Sequence, residues 1–314
     1  MRTLVVFVAI LSFLALLGAG GCAPRPAAAP QSAVASVAPA PRDVARPELL
    51  VDTAWLVRHR NDPKVRIIDV RPADKYREGH IPGAVNLPPE VFAVKVGALS
   101  NELPPPDRFA DTMGALGVGP DTHVVIYDDG NALWAARLFF TLDVYGHRRI
   151  SILNGGFSAW SAEGREVSRV APTVPRATFT PRFDRSKVAT LADVQESLQK
   201  GGVVFCDARS PAEYRGEDVR SKRGGRVPGA RNVDWQTTVG KVNGVPSFRS
   251  GADLARLYRE AGLRPDQEVI TYCQTGVRAA HAYFTLRLLG YQKVRNYDGS
   301  WEEWGNLPDT PVER

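Results

Sequence analysis

IIDVRPADKYREGHIPGAVNLP (67–88) and VFCDARSPAEYRGEDVRSKRGGRVPGARNVDW (204–235) spell one pattern twice, and that repetition decides the fold. Each opens on an apolar strand ending in Asp-x-Arg, continues as a short acidic helix with Tyr and Arg, and closes on a loop with Pro-Gly-Ala and Asn. A second pair of segments extends the match: GVGPDTHVVIYDDGNALWAARLFFTLDVYGHRRISILNGGFSAW (117–160) against GLRPDQEVITYCQTGVRAAHAYFTLRLLGYQKVRNYDGSWEEW (262–304). Both hold an apolar strand, a loop, an amphipathic helix and a second short strand. Strands alternating with helices predict an α/β protein of two tandem copies, each a parallel β-sheet flanked by α-helices.

The spacing of the repeat sets the expected boundaries at 49–165 and 186–308, joined by a Pro- and Thr-bearing linker, 166–185, and followed by a tail, 309–314. Similar halves pack with approximate two-fold symmetry, and the cleft between them is the natural place for a site. With 24% charged and 44% hydrophobic residues the composition is that of a soluble globular chain. The net charge of +6 is spread along the sequence without interleaved basic and aromatic motifs, so it reads as a solvated surface and gives no nucleic-acid partner.

The N-terminus reads differently. Arg2 precedes an apolar run, Leu4 to Leu17, that is too short for a comfortable membrane span and ends in Ala-Gly-Gly-Cys at 19–22. Residues 1–21 are expected to be an export signal peptide. Cys22 directly after it resembles the bacterial lipobox, although Ala19 stands where Leu is usual. That resemblance implies acylation of Cys22 and an exported lipoprotein, periplasmic or at the cell surface, anchored to a membrane. Residues 22–48, rich in Ala and Pro, are expected to be a disordered tether.

Three cysteines, Cys22, Cys206 and Cys273, are too few and too irregular for a disulfide framework or a zinc site. Cys206, inside the strand VVFCD, reads as core packing, with a disulfide to Cys273 as the sharper alternative. Cys273 is the chemically interesting one. The strand EVITY runs straight into CQTGVR (273–278) and on into a helix, placing Cys273 at the C-terminal strand edge where open α/β sheets bind ligands. Loop N–H groups and the helix dipole favour negative charge there, which promotes ionisation of a thiol, and Arg278 adds a full positive charge. Gly276 permits the tight backbone. A lone cysteine at a strand end is as often a buried hydrophobe; the turn, glycine and arginine together point to a nucleophile. His80, His147 and His281 have no ligand-like spacing and read as structural, and Trp160, Trp301 and Trp304 read as packing.

The tandem repeat, the Asp-Ala-Arg strand end at 207–209, the Pro-Gly-Ala turns at 82–84 and 228–230 and the six-residue loop CQTGVR resemble the rhodanese superfamily over nearly all of residues 50–308. The resemblance implies a sulfurtransferase without metal or cofactor, using Cys273 as a persulfide carrier, with Gln274, Thr275, Gly276 and Val277 forming the ring around the substrate. It implies that Arg209 contacts an anionic donor, the alternative being a structural ion pair with Asp207 or Glu213, and that Arg278 either binds the donor or braces the loop. Thiosulfate is favoured over 3-mercaptopyruvate as donor, with cyanide or a thiol as acceptor. Four residues between Cys and Arg, where related phosphatases have five, disfavour phosphoryl chemistry. In the first copy Asp128 or Asp129 takes the cysteine's place, so that copy is expected to be a silent scaffold. A wholly non-catalytic binding module is the rival reading, and the intact second loop argues against it.

Overall fold

The computed structural model describes residues 36–314. The expected signal peptide and the lipidation of Cys22 lie outside the described residues. Each copy forms a five-stranded parallel sheet with one strand order. In the first module it runs Val85–Asn86, Val65–Asp69, His123–Tyr127, Ile150–Leu153, Leu50–Val51; in the second, Arg231–Asn232, Val203–Asp207, Glu268–Tyr272, Val294–Tyr297, Val188–Ala189. The central strands are apolar runs because helices cover both faces of a parallel sheet.

The helices Leu133–Val144 and Val277–Leu288 differ from the amphipathic expectation: almost every residue of each is buried. The reason is the seam between modules. Their outer faces meet there, with Phe139 edge-on to Phe284 at 4.9 Å and Phe140 to Tyr283 at 5.1 Å.

Two antiparallel hairpins add a feature absent from the expected strand pattern: Val94–Val96 with Leu99–Glu102, and Val239–Val242 with Val245–Phe248. Each crosses the seam to dock on the other module. Ser100 donates from its N–H and hydroxyl to Glu302 (2.6 and 3.0 Å), and Asn154 accepts from Phe248 N–H (3.0 Å) while donating to Ser247 Oγ (2.9 Å).

Residues 36–48 correct the expected tether. The stretch is stapled to the body: Asn154 Nδ2 donates to the carbonyls of Ala38 and Pro39 (3.2 and 2.9 Å), and Arg46 N–H donates to Leu288 O (3.0 Å). The Asp43 carboxylate accepts from Ala252 and Gly251 N–H (2.9 and 2.8 Å) at the head of the helix Gly251–Glu260, and those amides hold Asp43 below the usual carboxylate range. Composition signalled the absence of a core of its own, not the absence of contacts. Truncation after residue 47 is expected to cost about 2 kcal/mol relative to truncation after residue 35, read as a lower urea midpoint; equal midpoints would remove the stapling role.

Candidate active site

Cys273 follows the strand Glu268–Tyr272 and is 1% exposed, packed with Ala208, Trp235, Ala279 and Ala282. Its loop bends because Gly276, at φ +77°, caps the helix Val277–Leu288 in the left-handed region. Ser300, itself at φ +50°, props the loop from below: its hydroxyl accepts from Cys273 N–H and Gly276 N–H (both 3.1 Å) and donates to Tyr297 O (2.7 Å). The rest of the loop is held by its outward groups. Trp301 N–H donates to Cys273 O (2.9 Å), Glu302 N–H to Gln274 O (2.8 Å), Gln274 Nε2 to Ser221 Oγ (3.1 Å), and Asn101 Nδ2 from the first module to Thr275 Oγ1 (3.1 Å). Among the described residues no protein acceptor is bonded to the N–H groups of Gln274, Thr275, Val277 and Arg278. They remain available to an anion at the loop's centre.

The first module shows the same ring filled. Asp128 occupies the position after the strand His123–Tyr127, and its carboxylate accepts from Gly130, Ala132, Trp134 and Ala135 N–H at 2.9, 3.1, 3.2 and 3.4 Å. Burial pushes its carboxyl up against the pull of those amides. The cradle is occupied by the chain's own side chain.

Above the second loop lies a pocket of about 480 Å³. Gln274, Thr275, Val277 and Arg278 line it together with Asn101, Leu133 and Trp134 from the first module and Trp235 from the second, so it lies in the seam. Arg278 forms a bidentate pair with Glu213 (2.6 and 2.8 Å). Burial opposes charge on both partners, yet their pairing prevails: Glu213 is held down at about 2, and Arg278 is raised. Arg278 thus both braces the rim and faces the pocket. Among the described residues no cluster of His, Cys, Asp and Glu is arranged to hold a metal ion.

Arg209 requires a correction. It does not line the pocket; it is 1% exposed, paired with Asp207 through Nε and Nη2 (2.9 and 2.6 Å), donating to Gly225 O (2.7 Å) and lying 4.4 Å from the Trp301 ring. Arg71 makes the same contacts in the module without a nucleophile, to Asp69, Gly79 O and the Phe157 ring. A device built identically in both copies serves the fold, and it realises the ion-pair alternative with Asp207. The exposed cation of the pocket is Arg220, which sequence reasoning missed. It sits on residues 216–226, a segment much longer than its counterpart 78–80, and this segment is anchored by Arg223 to Thr310 O and Trp304 O (2.7 and 2.9 Å). Arg209→Lys is expected to cost about 3 kcal/mol of stability with activity per folded molecule retained. Arg220→Ala is expected to leave the melting temperature unchanged and raise KM for an anionic donor about tenfold. Steady-state kinetics and thermal melts on both variants check the pair.

Cys206 is buried in the core on a different cluster from Cys273, and burial pushes its thiol up. Both are free. His281 is wholly buried in the seam, where burial pushes it down to about 4. Trp160, Trp301 and Trp304 pack on the sheets.

A cysteine within a ring of loop amides lies at the seam of two copies of one parallel α/β module. The chain belongs to the rhodanese-like domain family, whose model matches residues 52–163 and 190–307. It is 38% identical over 289 residues to a thiosulfate sulfurtransferase of Corynebacterium glutamicum, covering 88% of this chain and 93% of that one. It is 38% identical over 284 residues to the sulfur carrier protein TtuD of Thermus thermophilus, with 85% and 97% covered. The crystal structure of SseA from Escherichia coli, described for the fold and mechanism of 3-mercaptopyruvate sulfotransferases, superposes with a TM-score of 0.72 at 31% identity over 81% of this chain and 98% of that one. The chain is a sulfurtransferase.

Proposed function

We propose that the protein moves a sulfane sulfur from thiosulfate to a thiophilic acceptor such as cyanide or a thiol, through a persulfide on Cys273. The observation that carries this reading is the contrast between the two loops: one ring of amides is closed by Asp128, the other is open around a cysteine. The thiolate attacks the outer sulfur of thiosulfate; the donor's S–S bond breaks and its electron pair leaves with sulfite. The new persulfide carries its charge on the terminal sulfur, opposite the free N–H groups of the loop. Cyanide carbon then attacks that sulfur, the persulfide bond breaks, thiocyanate leaves and the thiolate returns. Arg278 and Arg220 give the donor a cationic approach.

A donor panel tests it: sulfite release from thiosulfate against pyruvate release from 3-mercaptopyruvate, with intact-mass detection of one added sulfur atom. Faster pyruvate release would transfer the assignment to 3-mercaptopyruvate, the second reading, which the Escherichia coli relative of that name supports. We propose further that residues 1–21 direct export and that Cys22 is acylated, which would hold the enzyme at a bacterial membrane. Metabolic palmitate labelling is expected in wild type and lost in Cys22→Ala; labelling that survives the substitution overturns it.

A further inference from the structure

The module without a nucleophile contributes a buried charge to the loop of the other. Arg137 is the fifth residue of the helix Leu133–Val144 and is 0% exposed. Its guanidinium grips both carboxylate oxygens of Asp298 across the seam, with Nη2 to Oδ2 at 3.0 Å, and donates to Asn101 O. The pseudo-symmetric place beneath the Asp128 loop carries no such pair. There the fifth helix residue is His281, kept neutral by burial, and the counterpart of Asp298 is Asn154. Asn154 and Asp298 do the same structural task, each accepting one N–H from the partner module, Asn154 from Phe248 in one hairpin at 3.0 Å and Asp298 from Leu103, directly after the other, at 3.1 Å. Docking the hairpins therefore needs no ion pair. Of the two equivalent pairs of positions, the one under the loop that bears Cys273 holds an ion pair and the other does not.

Among the contacts that hold that loop from outside it, two adjoin this pair: Ser300 Oγ on Cys273 and Gly276 N–H, and Asn101 Nδ2 on Thr275 Oγ1. Both trace back to Arg137. Asp298 lies two residues before Ser300, and Asn101 sits in the left-handed region at φ +60°, its carbonyl bonded to Arg137. The pair also forms the floor under Gly276, where an added Cβ would meet Asp298 Oδ1 at 2.5 Å and Arg137 Nη1 at 3.2 Å.

We propose that Arg137 is a positioning residue for sulfur transfer, fixing the ring of loop amides through Asp298 and Asn101. The proposal rests on Cys273 being the sulfur carrier. A planar fork is required, since a lysine ammonium cannot span the carboxylate and the Asn101 carbonyl together.

The test uses the full chain in three variants: Arg137→Lys, the neutral double variant Arg137→Gln/Asp298→Asn, and Asn101→Gly, which suits the backbone and removes only the hold on Thr275. Each is compared with wild type by thermal melting, kcat and KM for thiosulfate per sulfur-titrated site, and the pH profile of iodoacetamide alkylation at the Cys273 peptide. The double variant is expected to lose about 100-fold in kcat with a smaller change in KM, and its alkylation profile is expected to move. Arg137→Lys recovers only part of the loss, and Asn101→Gly loses about tenfold in kcat. A folded double variant with kcat per site within about threefold of wild type and an unmoved alkylation profile would overturn the proposal. If the double variant does not fold, wild-type kcat and profile in Asn101→Gly overturn it equally. Should wild type take up no sulfur from any donor, the sulfur-transfer reading fails, and the alkylation arm still decides Arg137.

Discussion

Serine at position 273 is expected to give a folded protein that takes up no sulfur, with transfer activity down more than about a thousandfold. The hydroxyl is a poor nucleophile toward a sulfane sulfur, and Cys206, the other described thiol, is walled into the core. The substitution changes little else, because sulfur and oxygen differ modestly in size and the neighbours Ala208, Trp235, Ala279 and Ala282 can stay in place. A loss of about 1 kcal/mol in stability is expected. Intact mass after thiosulfate exposure and an unfolding curve separate the two effects. Sulfur uptake that persists in Cys273→Ser would move the chemistry elsewhere.

Gly276→Ala carries the second large effect, and its size follows from space as well as from φ. At φ +77° any Cβ is strained, and here it would lie 2.5 Å from Asp298 Oδ1, which Arg137 holds, and 2.8 Å from the backbone oxygen of Asp298. The loop must open or the ion pair must shift. A fall of about 100-fold in kcat/KM and about 3 kcal/mol in stability is expected. Gly229→Ala is the control: φ there is +73° with nothing within 4 Å of the added carbon. That variant should lose only about 1 kcal/mol and keep its activity. Equal activity in the two variants would show that the crowding under Gly276 does not matter.

Much of the fold could be read from the chain because its central strands are contiguous apolar runs, such as HVVIY and EVITY, and because each is spelled twice. The loop around Cys273 is likewise local in sequence. What escaped reading is what joins residues far apart. Arg137 meets Asp298 across 161 positions, and nothing in either neighbourhood announces the other. The hairpin Val239–Phe248 was signalled by Asn243-Gly244, which adopt φ +51° and +81° as a tight hairpin turn requires, but its alternation is too short to register beside the longer strands. For Arg209 the signal was present and misread: Asp-x-Arg also stands at 69–71, in the module that has no cysteine to serve. The repeat thus carried its own control experiment.

The carboxyl of Asp128, bound by four amides, means that this chain already displays an oxygen-bearing end group seated in the ring. Under the proposed mechanism a loaded Cys273 has only to imitate its Asp128 counterpart. Under the proposed mechanism the first module is a cast of the intermediate, and overlaying one loop on the other gives the place expected for the transferred sulfur.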